Sequence, residues 1–274
     1  MRSLEQIKDW PVRHAGAGVV TPAGTVTAGA TDRVFPLASV TKPLVAYAVL
    51  VAVEEGAIEL DQPVDLPAAP PGATVRHLLA HTSGIAFDTT AVLAQPGAKR
   101  IYSSAGFDVL AEFVTEQTGI AFDEYLRDAV FEPLGMRNST LAGSAGHGAR
   151  STVDDLLLFA AELLNPRLLS APTHREASTV QFPGCGGVLP GYGSQRPNDW
   201  GLGFEIRDAK SPHWTGSANS PRTYGHFGQS GTFLWVDPEI EVACVALADE
   251  NFGDWARAAW PVFSDGVIEE VTRG

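Results

Sequence analysis

Residues 39–55 read SVTKPLVAYAVLVAVEE, and this stretch decides the architecture. It is the longest apolar run in the chain, too short at 44–53 to span a bilayer, and it predicts a helix buried inside a folded domain. Ser39 falls at the expected N-cap, Pro43 in the first turn and Gly56 just past the end, each a position its residue type favours.

Working outward, the pattern changes on both sides. Residues 15–37 carry the short β-like runs AGAGVV and GTVTAGA around a Pro-Ala-Gly turn signal. Residues 61–72, DQPVDLPAAPPG, predict a loop. A helical middle follows: TVRHLLAH, SAGFDVLAEFVTEQTG stopped by Gly119, AFDEYLRDAVFEPLG ending at Pro133, and STVDDLLLFAAELLN with a Ser/Thr cap. Residues 170–200 are rich in Gly and Pro and predict a looped pocket lip. The runs LGFEI, TYGHFG, GTFLWVD and EVACVALAD then predict strands, and a last helix is expected within 253–272. Strands at both ends with helices between predict an α/β fold of the α+β type. Its sheet is expected to be mainly antiparallel, because its last strands are joined by short turns. The expected organisation is a single 1–274 catalytic unit, with a sheet subdomain of about 1–60 and 165–274 and an inserted helical subdomain of about 61–164.

Composition narrows the function classes. The chain has 274 residues, 45% hydrophobic and 19% charged, enough for a large core. A net charge of −13 argues against nucleic acid, which demands clustered Lys and Arg, and against an anionic membrane surface. The two cysteines, Cys185 and Cys244, form no C-x-x-C and are read as buried free thiols. The segment MRSLEQIKDWPVRH has neither an apolar core nor a small-residue cleavage site, so a cytoplasmic location is expected. No cofactor motif occurs: there is no P-loop and no G-x-G-x-x-G after a strand. His77 and His81 stand at i, i+4, but no third ligand is spaced to complete a metal site, and none is expected.

The residues that carry chemistry begin at the helix start. A serine hydroxyl is a weak nucleophile and needs a base within reach. In Ser39-Val40-Thr41-Lys42, positions i and i+3 share one helix face, so the lysine amine approaches the serine oxygen. Opening a buried helix desolvates Lys42, which disfavours its ammonium and makes it a base near neutral pH. By itself the tetrapeptide also fits a capping serine with a solvated lysine. Against that, the chain has only four lysines and this is its one S-x-x-K. No G-x-S-x-G occurs, which weighs against an α/β-hydrolase nucleophile elbow.

Six segments recur in one order: LASVTK (37–42), LLAHTSGI (78–85), YSSAGF (102–107), FEPLGM (131–136), WGLGFEI (200–206) and GHFGQSGT (225–232). In this order and spacing the chain resembles the serine β-lactamase and penicillin-binding-protein superfamily: class C β-lactamases, D-alanyl-D-alanine carboxypeptidases and family VIII carboxylesterases. It is closest in character to the last. The resemblance implies a β-lactamase/transpeptidase-like fold and a Ser39 acyl-enzyme. It gives Tyr102 the proton relay, gives His226 the edge of the pocket, and gives the backbone N–H groups of Ser39 and Gln229 the oxyanion hole. Gly228 is expected to let a substrate approach its strand closely.

Two positions depart from the family pattern. The second motif usually reads Y-x-N, but here Ser104 replaces the amide; the third usually has a hydroxyl where Phe227 stands. Both exchanges remove polar recognition of peptide-like acyl groups from the substrate-binding positions. They point to a carboxylesterase or amidase acting on a small-molecule ester or amide, with a β-lactamase or D-alanyl-D-alanine carboxypeptidase-like peptidase as one alternative and a non-catalytic binding module as another.

Overall fold

The computed structural model describes residues 1–273; Gly274, the end of the expected unit, lies outside the described residues. The frame is a six-stranded antiparallel sheet whose spatial order is Gly24–Gly29, Ala15–Thr21, Val242–Ala248, Thr232–Asp237, Tyr224–Gly228 and Glu205–Ile206. N-terminal and C-terminal segments thus meet in its centre, where Val19 pairs with Cys244. The mixed α/β architecture with an antiparallel sheet is the one the run pattern predicts.

Both faces of the sheet are covered. Because side chains alternate along a strand, Leu234, Val236, Val245 and Leu247 face the helices Thr41–Glu54 and Val153–Leu164. Phe233, Trp235, Cys244 and Ala246 face the C-terminal helix Asp254–Arg273, against Trp260 and Phe263. Burial on both sides explains why VACVALA reads as one continuous apolar run.

The helix Thr41–Glu54 is buried on all sides from Thr41 to Leu50, as its unbroken apolar sequence requires. Its start differs from expectation. Ser39 does not cap it: the cap position is Val40, with no side-chain hydrogen bond, and Ser39 lies in a preceding 3-10 turn, Ala38–Val40. The hydroxyl is therefore not spent on the helix backbone. Ala38, just before it, has φ 46°, a left-handed conformation that side chains other than glycine seldom adopt.

Other corrections are local. The 170–200 segment is not all loop: it holds the helix Ala171–Ala177 and a hairpin of Gly187–Leu189 with Gly193–Gln195. Pro172 falls in the first turn of that helix, where a missing N–H costs no intrahelical bond, and Ser170 caps it. Helical structure runs past Pro133 to Leu134, because a π-turn at Arg127–Phe131 resets the register where proline lacks a donor. Both cysteines are free; Cys244 is buried, but Cys185 is only half-buried. No helix among the described residues is long and apolar enough to cross a membrane.

Candidate active site

Five side chains and one backbone carbonyl converge beside the 3-10 turn. The Tyr102 hydroxyl lies 2.7 Å from Ser39 Oγ and 3.3 Å from His226 Nε2. Lys42 Nζ lies 3.3 Å from Ser39 Oγ, 3.1 Å from Ser104 Oγ and 2.8 Å from the Gly146 carbonyl oxygen. Sequence reading singled out all of these except Gly146, whose backbone carbonyl leaves no side-chain signature.

The electrostatics follow from burial. Lys42 is fully buried and has no carboxylate in contact. Desolvation lowers its pKa to about 7, with the charge of Asp108 pulling weakly the other way. A neutral amine has two N–H bonds and one lone pair. With Gly146 and Ser104 taking the N–H groups, the lone pair is left for the third neighbour, Ser39. Asp108 also shapes this arrangement, accepting from Ser144 Oγ and the Ala145 N–H at 2.8 Å each and so holding the turn that presents Gly146.

His226 is neutral. Burial, with Lys42 adding to it, lowers its pKa to about 3. Its Nδ1 lies 2.7 Å from the Phe227 carbonyl oxygen, which only accepts, so the ring proton sits on Nδ1 and Nε2 faces Tyr102 as an acceptor. Burial pushes the Tyr102 phenol above its ordinary value, which keeps it protonated and able to hand on a proton. His81, which has φ 57°, lies beneath this ring. Its Nδ1 accepts from the Ser103 N–H at 3.2 Å, and its ring stands edge-on to Trp200 at 4.6 Å. His77, by contrast, caps its own helix with Thr74 and stacks on Phe182.

The pocket in front of Ser39 has a volume of about 310 Å³. Ser39 and Gln229 both line it, with Phe87, Leu189, Pro190 and Trp200 forming most of its wall. Among the described residues, no lysine or arginine borders it. The one charged group in its wall is Glu205, which the sequence reading took as part of a strand. Glu205 is buried and fully engaged: Lys210 binds one carboxylate oxygen, while His213 Nε2 at 2.9 Å and Trp214 Nε1 at 3.0 Å bind the other.

Three residues sit differently from the substrate contacts expected of them. Ser104 lies beneath Lys42, buried, rather than on the pocket wall. Phe227 borders the pocket, yet its ring packs on the opposite side of the sheet against Phe252 at 4.8 Å. Gly228 is tight for another reason: a Cβ there would strike the Leu37 carbonyl and Thr232 Oγ1, so the close approach is to the chain just before the turn that carries Ser39.

Comparison with known proteins agrees with this geometry. The family model "Beta-lactamase" matches residues 8–264. The chain belongs to the β-lactamase family. A solved β-lactamase from Mycobacterium bovis is 59% identical, with a TM-score of 0.96 over 98% of this chain and 99% of that one. A protein of Salmonella heidelberg named as a D-alanyl-D-alanine carboxypeptidase is 26% identical over 230 residues, which are 66% of this chain and 52% of the relative. The chain therefore spans about half the length of that curated relative. EstCE1, described as a hydrolase with promiscuous acyltransferase activity, shares the fold at a TM-score of 0.80 and 18% identity, covering 97% of this chain and 96% of that one.

Proposed function

We propose that this β-lactamase-family chain is a carboxylesterase or amidase for small, uncharged substrates, working through a Ser39 acyl-enzyme. The observation that carries the reading is the Tyr102–Ser39–Lys42 contact set facing a pocket with no cation in its wall. Ser39 Oγ attacks the substrate carbonyl as its proton passes to the Lys42 lone pair. The oxyanion forms against the Ser39 and Gln229 N–H groups. Collapse of the intermediate breaks the bond to the leaving group, which takes the phenolic proton of Tyr102; Lys42 then returns its proton to Tyr102. Water attacks the acyl-enzyme by the reverse route, giving the acid and restoring Ser39.

A pocket without a cation favours neutral esters, since penicillins and D-alanyl peptides both present a carboxylate. His226, held neutral, supplies no positive charge either. Hydrolysis of p-nitrophenyl acetate by wild type and Ser39→Ala is the direct test. A loss of about 10³-fold or more in the variant is expected for removal of the nucleophile, and equal rates would refute the assignment. The second reading, a β-lactamase or D-alanyl-D-alanine carboxypeptidase, is favoured by the names of the Mycobacterium and Salmonella relatives. Turnover of nitrocefin faster than of any ester would select it.

A further inference from the structure

The pocket that holds Ser39 does not end at Tyr102. A second cavity, of about 470 Å³, adjoins it and shares Phe87, Tyr102 and Pro190 with the first. Its own walls are Leu93, Ile101 and Val188, with Lys99 along one edge. None of Ser39, His226 and Gln229 borders it.

Its walls are unusually exposed for apolar residues. Phe87 is 54% exposed, and Leu93 and Val188 are each 59% exposed. Scattered single exposures of this kind mean little, but here they gather along one groove that opens from a reactive serine. The walls are also fixed in place. The Phe87 carbonyl accepts from the N–H groups of Ser104 and Ala105 at 2.7 and 3.1 Å, and the Leu93 N–H donates to the Gly84 carbonyl at 2.8 Å. On the far wall, the Arg100 N–H donates to the Gly186 carbonyl at 3.1 Å. The Arg100 guanidinium turns away, donating to the carbonyls of Ala80 and Gln181, so it puts no charge into the groove.

Which half of a substrate lies there follows from the proton. Tyr102 donates to the leaving group, so the leaving group must lie over Tyr102. The oxyanion and acyl carbon belong on the other side, with Ser39 and Gln229, in the smaller pocket. We propose that the groove binds the aliphatic chain of the leaving alcohol, making the preferred substrate a short-acyl ester of a long apolar alcohol. This rests on the esterase reading and names its substrate class. Lys99, an exposed residue of the groove lining, can lay an aliphatic stem on such a chain while keeping its ammonium in water.

Two ester series separate the halves: alkyl acetates from ethyl to decyl, and ethyl esters from acetate to decanoate. For wild type, kcat/KM is expected to rise about twofold per added methylene in the alcohol, half the effect of complete burial, and to stay flat or fall as the acyl group lengthens. Leu93→Asp and Val188→Asp, both at exposed positions, should flatten the alcohol series. A rise along the acyl series instead, or an alcohol series that keeps its slope in both variants, would overturn the proposal. Loss of Ser39-dependent turnover on every ester would instead overturn the esterase reading beneath it. Calorimetric titration of decan-1-ol needs no turnover: binding by wild type that weakens at least about tenfold in Leu93→Asp is expected for a groove made polar. No binding by wild type also overturns the proposal.

Discussion

Two of the four lysines are buried within the same catalytic neighbourhood, and they behave in opposite ways. Lys42 is surrounded by neutral oxygens: those of Ser39, Ser104 and the Gly146 backbone carbonyl. Lys210 is set against the buried Glu205 carboxylate and the carbonyls of Asp199 and Ile206. Burial alone would raise the Glu205 pKa, but His213 and Lys210 outweigh it and hold the carboxyl well below the usual carboxylate range. One lysine is thus desolvated without compensation, which suits it to the proposed role of base; the other is desolvated with a counter-charge and becomes a strut. The counter-charge, more than the burial, divides reactivity from scaffolding.

Removing the uncompensated lysine should have the largest effect. Lys42→Met is expected to lower kcat by about 10³-fold, mid-range for loss of a general base, and at the same time to raise Tm. Holding this amine at a pKa of about 7 rather than 10.5 costs roughly 4 kcal/mol at pH 7, only partly offset by its hydrogen bonds. The sign can be checked against pH. Between about 7 and 10.5 the unfolded chain binds the extra proton, so wild-type stability gains from this group as pH rises through that window. The gain should vanish in the variant when urea unfolding is followed at several pH values. A variant that is inactive and less stable than wild type at pH 7 would contradict this account.

Giving Lys42 the kind of partner Lys210 has should come next. Ser104→Asp places a carboxylate beside Nζ, favours the ammonium and should lower kcat/KM at pH 7 by about 10²-fold, with recovery in alkali. Wild-type kcat/KM should itself rise with pH through about 7, because the ammonium cannot accept the serine proton. A pH-rate profile with no shift in the variant would sever Lys42 from the chemistry. Taking the counter-charge from Lys210 inverts the experiment. Glu205→Gln should destabilise the fold by about 3–5 kcal/mol, as for a buried charge left unpaired, and Glu205→Gln with Lys210→Met should recover much of the loss in urea midpoint. The smallest effect is expected for Asp108→Asn. It keeps the acceptor for Ser144 and Ala145 but removes the distant charge that raises Lys42, so the acid limb of the profile should move slightly to lower pH.

The contrast between the lysines also marks what the amino-acid string discloses. Lys42 was legible because S-x-x-K at the head of an apolar helix states both proximity and desolvation. Tyr102, His226 and Gln229 were legible through the register of their motifs. The strands of the central sheet were legible because their apolar runs are bounded by turn residues. Glu205 was not legible: inside LGFEI it looks like any charged residue on a strand, and its partners at 210, 213 and 214 are brought to it by a loop without a regular period. Gly146 acts through a carbonyl that every residue possesses. Ser39 was misplaced by a residue or so at the helix start, because a serine before a helix looks like a cap whether or not its hydroxyl turns to the backbone. The groove walls at 87, 93 and 188 come from two segments whose pairing depends on the contact of Arg100 with Gly187, which no local pattern announces.

The closeness of Gly228 to the chain just before the turn that carries Ser39 has a practical reading for anyone redesigning this catalyst. The Leu37 carbonyl occupies the space a side chain at 228 would need, and that same carbonyl accepts a hydrogen bond from Thr232 Oγ1 at 2.8 Å. Mutational libraries that diversify 228 along with the other pocket positions will therefore be dominated by displaced serines, and their dead clones will say nothing about selectivity. Positions 93 and 188, unlike Phe87, whose ring stacks on Tyr102 at 5.9 Å, carry no such linkage to the reacting oxygen. Diversity placed there should change what the enzyme selects while leaving its turnover machinery in register.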